Sequence, residues 1–316
     1  MGLMPRPAIP VGRGNWALEL NYSASNNFQA SDEVQRYLER RGGPRRPLDE
    51  ADVKAVLTGI DGNRYLIDGE FGLFDLGIHY GLSERLSISA RASYLSYGGG
   101  YLDGTIFDFH DTFGFGQAGR EFLAPDHFQI ILAQDNRALV LLDRPTAGGF
   151  TDPLFTVTYT FPGPADGWRF AVEAGVKPPL ADADTLLSTG SVDLGAQLIA
   201  QRQWRAHGVV VNLAWVLPGE FEEAEAFDPP DPPSLNVAYG YRFSGRVRGI
   251  AQVFFSENIF REVNDSDLSE LEFQLSAGVK IDAIGARLGL GITENLFNFD
   301  NTPDFAVHLS YSILFD

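Results

Sequence analysis

The stretch DFAVHLSYSILFD (residues 304–316) decides the fold. From Phe305 onward every second residue is large and apolar, whereas the residues between them are small or polar, with Leu314 as the exception. Successive side chains of a β-strand point to opposite faces, so the two faces of this strand meet different surroundings. A soluble sheet with a dry core and a membrane barrel with a wet lumen both produce such a strand, and the rest of the sequence has to distinguish them.

Composition narrows the choice of fold and partner. Mean hydropathy is −0.09, and no run approaches the roughly 18 apolar residues that a membrane helix needs. A transmembrane barrel has the same middling average, because lipid-facing and lumen-facing residues alternate along its strands. The 34 glycines and 24 phenylalanines among 316 residues favour β structure with tight corners. The absence of cysteine excludes disulfides and thiolate metal sites, and a net charge of −18 argues against nucleic acid as a partner.

The same alternation recurs along the whole chain, in pairs separated by short turns such as SER, SGR and DAIG, and each pair is typical of a β-hairpin. The other alternating segments are NWALELNYS, DLGIHYGL, LSISARASYL, LFTVTYTF, WRFAVEAGVK, VDLGAQLIAQ, VVVNLAWVL, LNVAYGYRF, VRGIAQVFF, LEFQLSAGVKI and GARLGLGITEN. The sequence therefore predicts an all-β fold, an antiparallel transmembrane β-barrel of about 12 strands. Residues 1–316 are expected to form this single domain.

Loop lengths alternate as regularly as side chains do. Short turns alternate with long polar connections, the longest of which are about 24–63 and 98–151. Short periplasmic turns and long extracellular loops are the layout of a bacterial outer-membrane barrel. We expect the apparent hairpin at 127–142 to extend the second long loop above the membrane, with a barrel of about 14 strands as the alternative. Charge placement predicts short surface helices at 31–41 and 48–57.

The two faces of the predicted strands differ in charge. One face is rich in leucine, valine, isoleucine and aromatic residues, and aromatics near its strand ends, such as Trp16, Trp168 and Phe315, are compatible with interfacial girdles. The other face carries many charges, which a dry core could not hold without a heavy desolvation cost but a wet lumen could. The predicted lumen-lining residues are Glu19, Asp75, His79, Arg91, Arg169, Glu173, Lys177, Asp193, Arg242, Arg248, Glu272, Lys280, Arg287 and His308.

Three further stretches carry a family resemblance: YLIDGE (65–70), TIFDFHDTFGFGQAGR (105–120) and GGFTDPLFTVTYTF (148–161). Together they resemble the signature stretches of a Gram-negative outer-membrane family known as domain of unknown function 3187. The resemblance covers most of the chain and implies an outer-membrane β-barrel made with a cleaved leader, without an activity. The chain end is also similar to the C-terminal signal read by the barrel-assembly machinery, although that signal normally finishes on an aromatic residue and here Phe315 is penultimate.

Two classes of function are compatible with such a barrel. The leading interpretation is a channel or transporter for a small polar solute, with a sealed structural barrel close behind. Opposite charges are expected near one another on neighbouring strands, so lumenal ion-pair ladders are plausible. The expected groupings are Arg169 and Glu173 near Asp193, and Glu272 near Arg248 and Arg287. His79 and His308 lie on predicted lumen faces of strands separated only by the first.

The alternative class is an outer-membrane hydrolase acting on lipid or lipopolysaccharide. Its best candidate residues are in FDFHD, where Asp108 and Asp111 flank His110. If this stretch were a strand, Asp108 and His110 would share a face. No GxSxG motif precedes it and no serine is adjacent. A structural role for this histidine is the competing interpretation.

Metal binding has one weak candidate, the acidic loop at 220–233. Its carboxylates, Glu222, Glu223, Glu225 and Asp228, suit Ca²⁺ or Mg²⁺ but lack a fixed ligand spacing. A solvated loop stiffened by proline is the favoured interpretation. Outer-membrane lipids and lipopolysaccharide are expected partners, and divalent ions could bridge these carboxylates to lipid phosphates. Residues 1–16 lack the apolar core of a secretory signal. An outer-membrane location therefore requires that a leader has already been removed.

Overall fold

The computed structural model describes residues 6–60, 64–100, 102–114, 116–134, 137–164, 166–219, 233–257, 271–294 and 302–315. Its elements, in chain order, are β1 (Trp16–Ala30), α1 (Asp32–Arg41), α2 (Glu50–Gly59), β2 (Arg64–Gly81), β3 (Leu86–Gly98), α3 (Asp103–Phe113), a 3₁₀ turn (Arg120–Phe122), β4 (Gln129–Gln134), β5 (Arg137–Leu141), β6 (Gly148–Phe150), β7 (Leu154–Thr160), β8 (Trp168–Lys177), β9 (Asp193–Trp204), β10 (His207–Leu217), β11 (Pro233–Arg242), β12 (Val247–Ser256), β13 (Glu272–Ala283), β14 (Ala286–Glu294) and β15 (Phe305–Phe315).

Twelve antiparallel strands close into one barrel, in the order β1, β2, β3 and then β7 to β15. The last strand closes the ring on the first, with Phe315 opposite Trp16 and Phe305 opposite Asn26. This closure removes both free sheet edges, as hydrocarbon requires, and it explains the strand at 304–316. The prediction of an antiparallel barrel of about 12 strands is confirmed.

The alternative of a larger barrel is wrong. Strand β4 pairs with β2 between Arg64 and Asp68, beyond the end of β3, and β5 pairs with β4. The first two strands are long and continue beyond the ring, and the β4–β5 hairpin pairs with this continuation of β2. This is the position above the membrane that the sequence predicts for 127–142. We call this end of the barrel the long-loop end and the opposite end the short-turn end.

The outward faces of the ring strands are apolar and exposed. Phe170, Leu198 and Leu290 are 51%, 52% and 53% accessible, values that a soluble protein would not repeat around its whole circumference. Among the described ring strands, the outward Asp, Glu, Lys and Arg residues are few: Arg202 and Glu294, each close to a strand end, and Arg64, Asp68 and Glu70 of β2, at the end that the cap covers. Exposed aromatics mark the short-turn end at Trp16 and Trp168, and the long-loop end at Trp215. In the described parts of the chain, no helix is long and apolar enough to cross a membrane.

A cap covers the long-loop end of β1 and β2. It consists of α1, α2, α3 and the β4–β5 hairpin, and its core joins Phe28, Val34, Leu38, Leu66 and Ile131. Ser31 caps α1 by accepting a hydrogen bond from Val34, and Asp49 and Asp52 form a capping box on α2. Both predicted surface helices are therefore present. The first long loop starts later than the predicted residue 24, because β1 continues to Ala30 in unbroken pairing with β2.

An N-terminal segment (residues 6–15) lies inside the barrel. Ala8 is fully buried against Ala171 and Ile199, and its backbone N–H donates to Gln201 at 2.9 Å. The segment leaves beside the end of β2, where Gly14 N–H donates to the Gly81 carbonyl at 2.8 Å. A Cβ on Gly81 would lie 2.1 Å from the carbonyl oxygen of Gly12, so only glycine permits this backbone approach.

Candidate functional site

The predicted lumen residues share one face of the barrel wall. Along each strand, the exposed apolar residues alternate with the predicted lumen residues. Strand register therefore places all 14 predicted residues on the inward face. Their surroundings differ around the ring. We call the inward face of β2, β3 and β7 to β10 the filled side, and that of β11 to β15 the open side. A role for any of these residues in solute passage stays a prediction.

The filled side is occupied by the N-terminal segment and its partners. The Arg6 guanidinium lies 3.1 Å from His79 Nδ1, donates to Ser89 at 3.0 Å and lies 3.5 Å from Glu173. Glu173 is 2% exposed and also accepts hydrogen bonds from Thr158 and Gln197. His79 Nε2 lies 3.4 Å from the Glu19 carboxylate, while its Nδ1 lies 2.8 Å from the Ser89 hydroxyl.

A second group of charges closes the long-loop end of the filled side. Lys177 Nζ lies 3.0 Å from Asp152 and 2.9 Å from Asp193, and both carboxylates are fully buried. Asp152 also accepts from Ser188 and from the backbone N–H groups of 180 and 181, so it anchors the 178–192 loop inside the barrel wall. Apolar side chains of this loop then pack with those of the barrel and hairpin, in a cluster of Tyr97, Phe128, Ile130 and Leu187.

Most inward side chains of the open side are accessible. Gln252, Ser276, Lys280 and Ser310 are partly exposed, and Arg287 is exposed, whereas those of β7 and β9 are mostly buried. A hydrogen-bonded row crosses this wall: Ser276 to Thr293 at 2.7 Å, Thr293 to His308 Nε2 at 2.7 Å, and His308 Nδ1 to Ser23 at 2.8 Å. The open side is thus a continuous polar surface.

The predicted ion-pair groupings are not formed, and the charges have other neighbours. Asp193 pairs with Lys177, its direct neighbour across the strands, while Arg169 stands opposite Gln201. Glu272 lies opposite Ser256 at the long-loop end of β13, eight residues from Lys280, which faces Arg248. The predicted grouping of Glu272 with Arg248 and Arg287 is therefore wrong. Arg287 instead pairs with Asp282 of the same hairpin, with Nε 2.5 Å from the carboxylate.

The two lumenal histidines are not brought together. His79 stands opposite Ala17 and His308 opposite Ser23, so six residues of β1 separate them. The Ser23–His308 contact has the atoms of a nucleophile and a base. The other ring nitrogen of His308 is held by the Thr293 hydroxyl rather than by an orienting carboxylate.

The candidate hydrolase residues lie on a helix. The stretch FDFHD belongs to α3, so the expectation that Asp108 and His110 share a strand face is wrong. The His110 ring donates from Nδ1 to the Gly116 carbonyl at 2.9 Å, while Asp108 and Asp111 are exposed to solvent. Burial lowers the pKa of His110, and the nearby Arg120 acts in the same direction. This geometry supports a structural role, in which His110 ties the end of α3 to the following turn.

Two of the three signature stretches meet in a polar latch through Glu70 and Arg120, and the sequence did not reveal this arrangement. The latch consists of Asn26, Glu70, Asp103, Arg120 and Asp304. Arg120 is 3% exposed and donates to Asp103 at 3.3 Å, to Asn26 at 3.1 Å and to Asp304 at 2.5 Å. Asn26 donates to Asp103 and Glu70, and Glu70 accepts from the backbone N–H of 102. The latch joins the cap to β1, β2 and the start of β15.

The acidic candidates for metal binding, Glu222, Glu223, Glu225 and Asp228, lie outside the described residues. Across the parts of the chain that the structure describes, no group of three or more histidine or acidic side chains is arranged to hold a metal ion. An apolar groove of about 550 Å³ does lie on the barrel wall between Trp16, Ile88, Phe155 and Val176. It opens on the outward, lipid-facing side rather than into the lumen.

The closed ring, the apolar outer face and the charged inner face define a transmembrane β-barrel protein of the outer-membrane type. The sequence profile of a family described as proteins of unknown function, DUF3187, matches residues 53–315. The chain belongs to this family. A comparison with curated proteins finds no match.

Comparison with solved structures finds a barrel of the same fold, and others that are less similar. The COG4313 outer membrane channel from Pseudomonas putida F1 is similar with a TM-score of 0.57 at 10% identity, covering 99% of this chain and 100% of that one. The Ralstonia pickettii toluene transporter TbuX has a TM-score of 0.43 at 9% identity, over 96% and 90% of the two chains. Outer membrane phospholipase A from Escherichia coli has a TM-score of 0.39 at 11% identity, over 94% and 92%.

Proposed function

We propose that this protein is an outer-membrane channel that passes small polar solutes along the open side of its lumen. The observation that carries the proposal is the asymmetry of the interior. The N-terminal segment buries the inward side chains of β7 to β9, while polar side chains of β12 to β15 stay accessible. A barrel that served only as a structural anchor could pack both sides alike.

Unsatisfied polar groups within the barrel support the same proposal. Asn236 is 4% exposed and lies on the inward face of β11, opposite Asn212. Neither polar atom of its amide has a hydrogen-bond partner among the described residues. A buried amide without partners costs roughly 1–3 kcal/mol, which water or a polar solute in the lumen would relieve.

Outer-membrane residence is part of the proposal. The continuous apolar outer surface, with aromatic side chains at both ends of the strands, matches a hydrocarbon band about 25 Å tall bounded by two interfaces. The closed ring satisfies every ladder hydrogen bond internally, as a membrane interior demands. Contacts with lipopolysaccharide and with the barrel-assembly machinery are proposals that follow from this location.

The chain contains no cysteine, so single-cysteine variants can locate the water path. Ser310 faces inward on β15, and the adjacent Leu309 faces outward and is 50% exposed. We would introduce Ser310→Cys and Leu309→Cys separately and add a charged, membrane-impermeant thiol reagent during planar-bilayer recording. Thiolates react only where water reaches them, so Ser310→Cys should react and lose conductance. Leu309→Cys should neither react nor change.

Two results would contradict the proposal. Absence of conductance steps from a refolded, correctly closed barrel would remove the channel. Steps that persist unchanged in a fully modified Ser310→Cys protein would show that ions do not pass along the open side. Heat-modifiable migration in gels confirms a closed barrel for each variant before recording.

A further inference from the structure

The open side carries a patch of cations near the short-turn end. Arg242 on β11 stands opposite Arg248 on β12, and Arg248 stands opposite Lys280 on β13. Arg287 follows on β14, two residue pairs nearer the turn than Lys280, opposite Asp282. We call these four cations the basic patch. Their side chains line four consecutive strands of one inward face.

Cations that face each other across neighbouring strands lower the stability of the fold. Residues directly opposite in an antiparallel pair have Cβ atoms about 5 Å apart, and like charges in such positions are destabilising. Two consecutive pairs of the patch, Arg242 with Arg248 and Arg248 with Lys280, are of this kind. Among the described residues no hydrogen bond or salt bridge of the side chain is found for Arg242, Arg248 or Lys280, whereas Arg287 pairs with Asp282.

The surrounding charges do not neutralise the patch. The charges that act most strongly on Lys280 are Arg287 and Arg248, together with the carboxylates of Glu19 and Asp282. Glu19 is itself shared with His79, and Glu272 lies at the far end of β13. The four cations of the patch outnumber these two carboxylates, in a chain whose net charge is −18.

Some charges elsewhere in the lumen are paired: Lys177 has Asp152 and Asp193, and Glu173 has Arg6. Guanidinium groups bind carboxylate and phosphate oxygens through parallel N–H donors, and a row of such groups along a water path raises the local concentration of anions.

We infer that the basic patch binds small oxyanions, carboxylates or phosphates, and makes the channel anion-selective. This inference rests on the proposed function for its transport role, while anion binding itself can be measured without conductance. The carboxylate or phosphate would approach Arg248 and Lys280 at the centre of the patch, with Arg242 and Arg287 on either side.

The test uses the full-length protein with Arg248→Gln and Lys280→Gln combined. The matched control is Arg202→Gln, which removes a cation at the same end of the barrel from the outward face. Reversal potentials in a potassium chloride gradient should show chloride preference in the unmodified protein and in the control. In the double variant that preference should fall roughly fivefold per charge removed, as expected for unit charges at contact distance in water.

Binding is measured in parallel by calorimetric titration of the detergent-solubilised barrel with inorganic phosphate and with acetate. Binding lost in the double variant but kept in Arg202→Gln supports the inference, and preference for one probe identifies the oxyanion. If the unmodified protein binds phosphate or acetate but never conducts, the channel proposal fails and the anion site stands. Absence of binding together with unchanged ion selectivity would overturn the inference.

Stability separates a binding role from a structural one. Removing two mutually repelling cations should leave the unfolding temperature unchanged or raise it. A large loss of stability in the double variant would indicate that the patch holds the wall together, and would count against a ligand role.

Discussion

Replacing Arg120 by methionine should release the cap from the barrel without opening the ring. Arg120 is the only cation of the latch among the residues that the structure describes, and its side chain is 4% exposed. Methionine keeps the apolar stem against the Phe28 ring, over which the guanidinium lies at 4.7 Å. The substitution therefore isolates the loss of charge and of hydrogen bonds.

The expected loss of cap stability follows from the groups that lose the Arg120 guanidinium. Asp103 and Asp304 lose their cation, and the Asn26 side-chain oxygen loses its donor. Breaking a buried ion pair by removing one partner typically costs about 3–5 kcal/mol, because the remaining charge is buried without compensation. If the cap opens locally, its open population should rise roughly 100- to 5000-fold. The lost contacts on the barrel side are those with Asn26 and Phe28 of β1 and with Asp304, which precedes β15.

Limited proteolysis of the cap measures this population, since cleavage tracks the open form when reclosing is fast. Arg36→Met is the control: Arg36 pairs with Glu33 at 2.7 Å on exposed α1, with side-chain accessibilities of 62% and 27%. Such a surface pair is worth at most about 1 kcal/mol. Equal cleavage rates in Arg120→Met and Arg36→Met would refute the latch. Unchanged heat-modifiable migration must show that both barrels are closed.

Three further predictions concern other parts of the interior and the cap. Gly81→Ala should displace the N-terminal segment and raise single-channel conductance, because the added Cβ meets the Gly12 carbonyl at 2.1 Å; Gly208→Ala, whose nearest contact is 3.8 Å, should leave conductance unchanged. Lys177→Met should destabilise the barrel by about 3–5 kcal/mol in urea-dependent unfolding, since it removes the ammonium group shared by the two buried carboxylates of Asp152 and Asp193, and a change below about 1 kcal/mol would contradict that reasoning. Hydrogen exchange of the cap, corrected for intrinsic rates, should accelerate as the pH falls below 3.8 toward about 2, and Asp52→Asn should abolish this acid dependence.

The sign of that pH dependence follows from the Asp52 cluster. Burial alone would raise the pKa of Asp52, but hydrogen bonds from Arg46 and Tyr37 outweigh it and lower the pKa to about 2. A depressed carboxyl pKa stabilises the fold above its ordinary value of 3.8, and the stabilisation disappears as the pH falls through the folded value. Burial, followed by the hydrogen bond to Asp52, raises the pKa of Tyr37 to about 12, so this contact weakens only above pH 10.0.

Sequence alternation predicted the ring because one physical signal, side-chain parity, governs both lipid and lumen faces. Every ring strand, from Trp16 to Phe315, obeys it, and a residue's face follows from its neighbours alone. Parity gives no information about height along the barrel axis. For that reason the sequence predicts Glu272 near Arg248, although Glu272 lies eight residues along β13 from Lys280, the residue opposite Arg248.

Features that depend on non-local packing could not be read in the sequence. Residues 6–15 have no periodicity, and their place in the lumen depends on contacts with residues as distant as Gln201. The latch joins Asn26 to Asp304 through Arg120, across most of the chain length. A helix at 103–113 was missed because its residues FDFHDTF include aromatic and polar types that are also common in strands.

Charge pairing within the barrel indicates where water must be. Ions removed from water are costly unless they are paired, and each buried carboxylate of the filled side has a partner: Asp75 accepts from Ser93, Glu173 from Thr158, and Asp193 faces Lys177. Arg248 and Lys280 are only partly exposed and have no side-chain hydrogen bond or salt bridge among the described residues, so solvent or a soluble anion is needed to compensate their charge. A barrel sealed along its whole length would have to bury these cations unpaired or neutralise them. The basic patch therefore favours a wet lumen on the open side independently of any measured conductance.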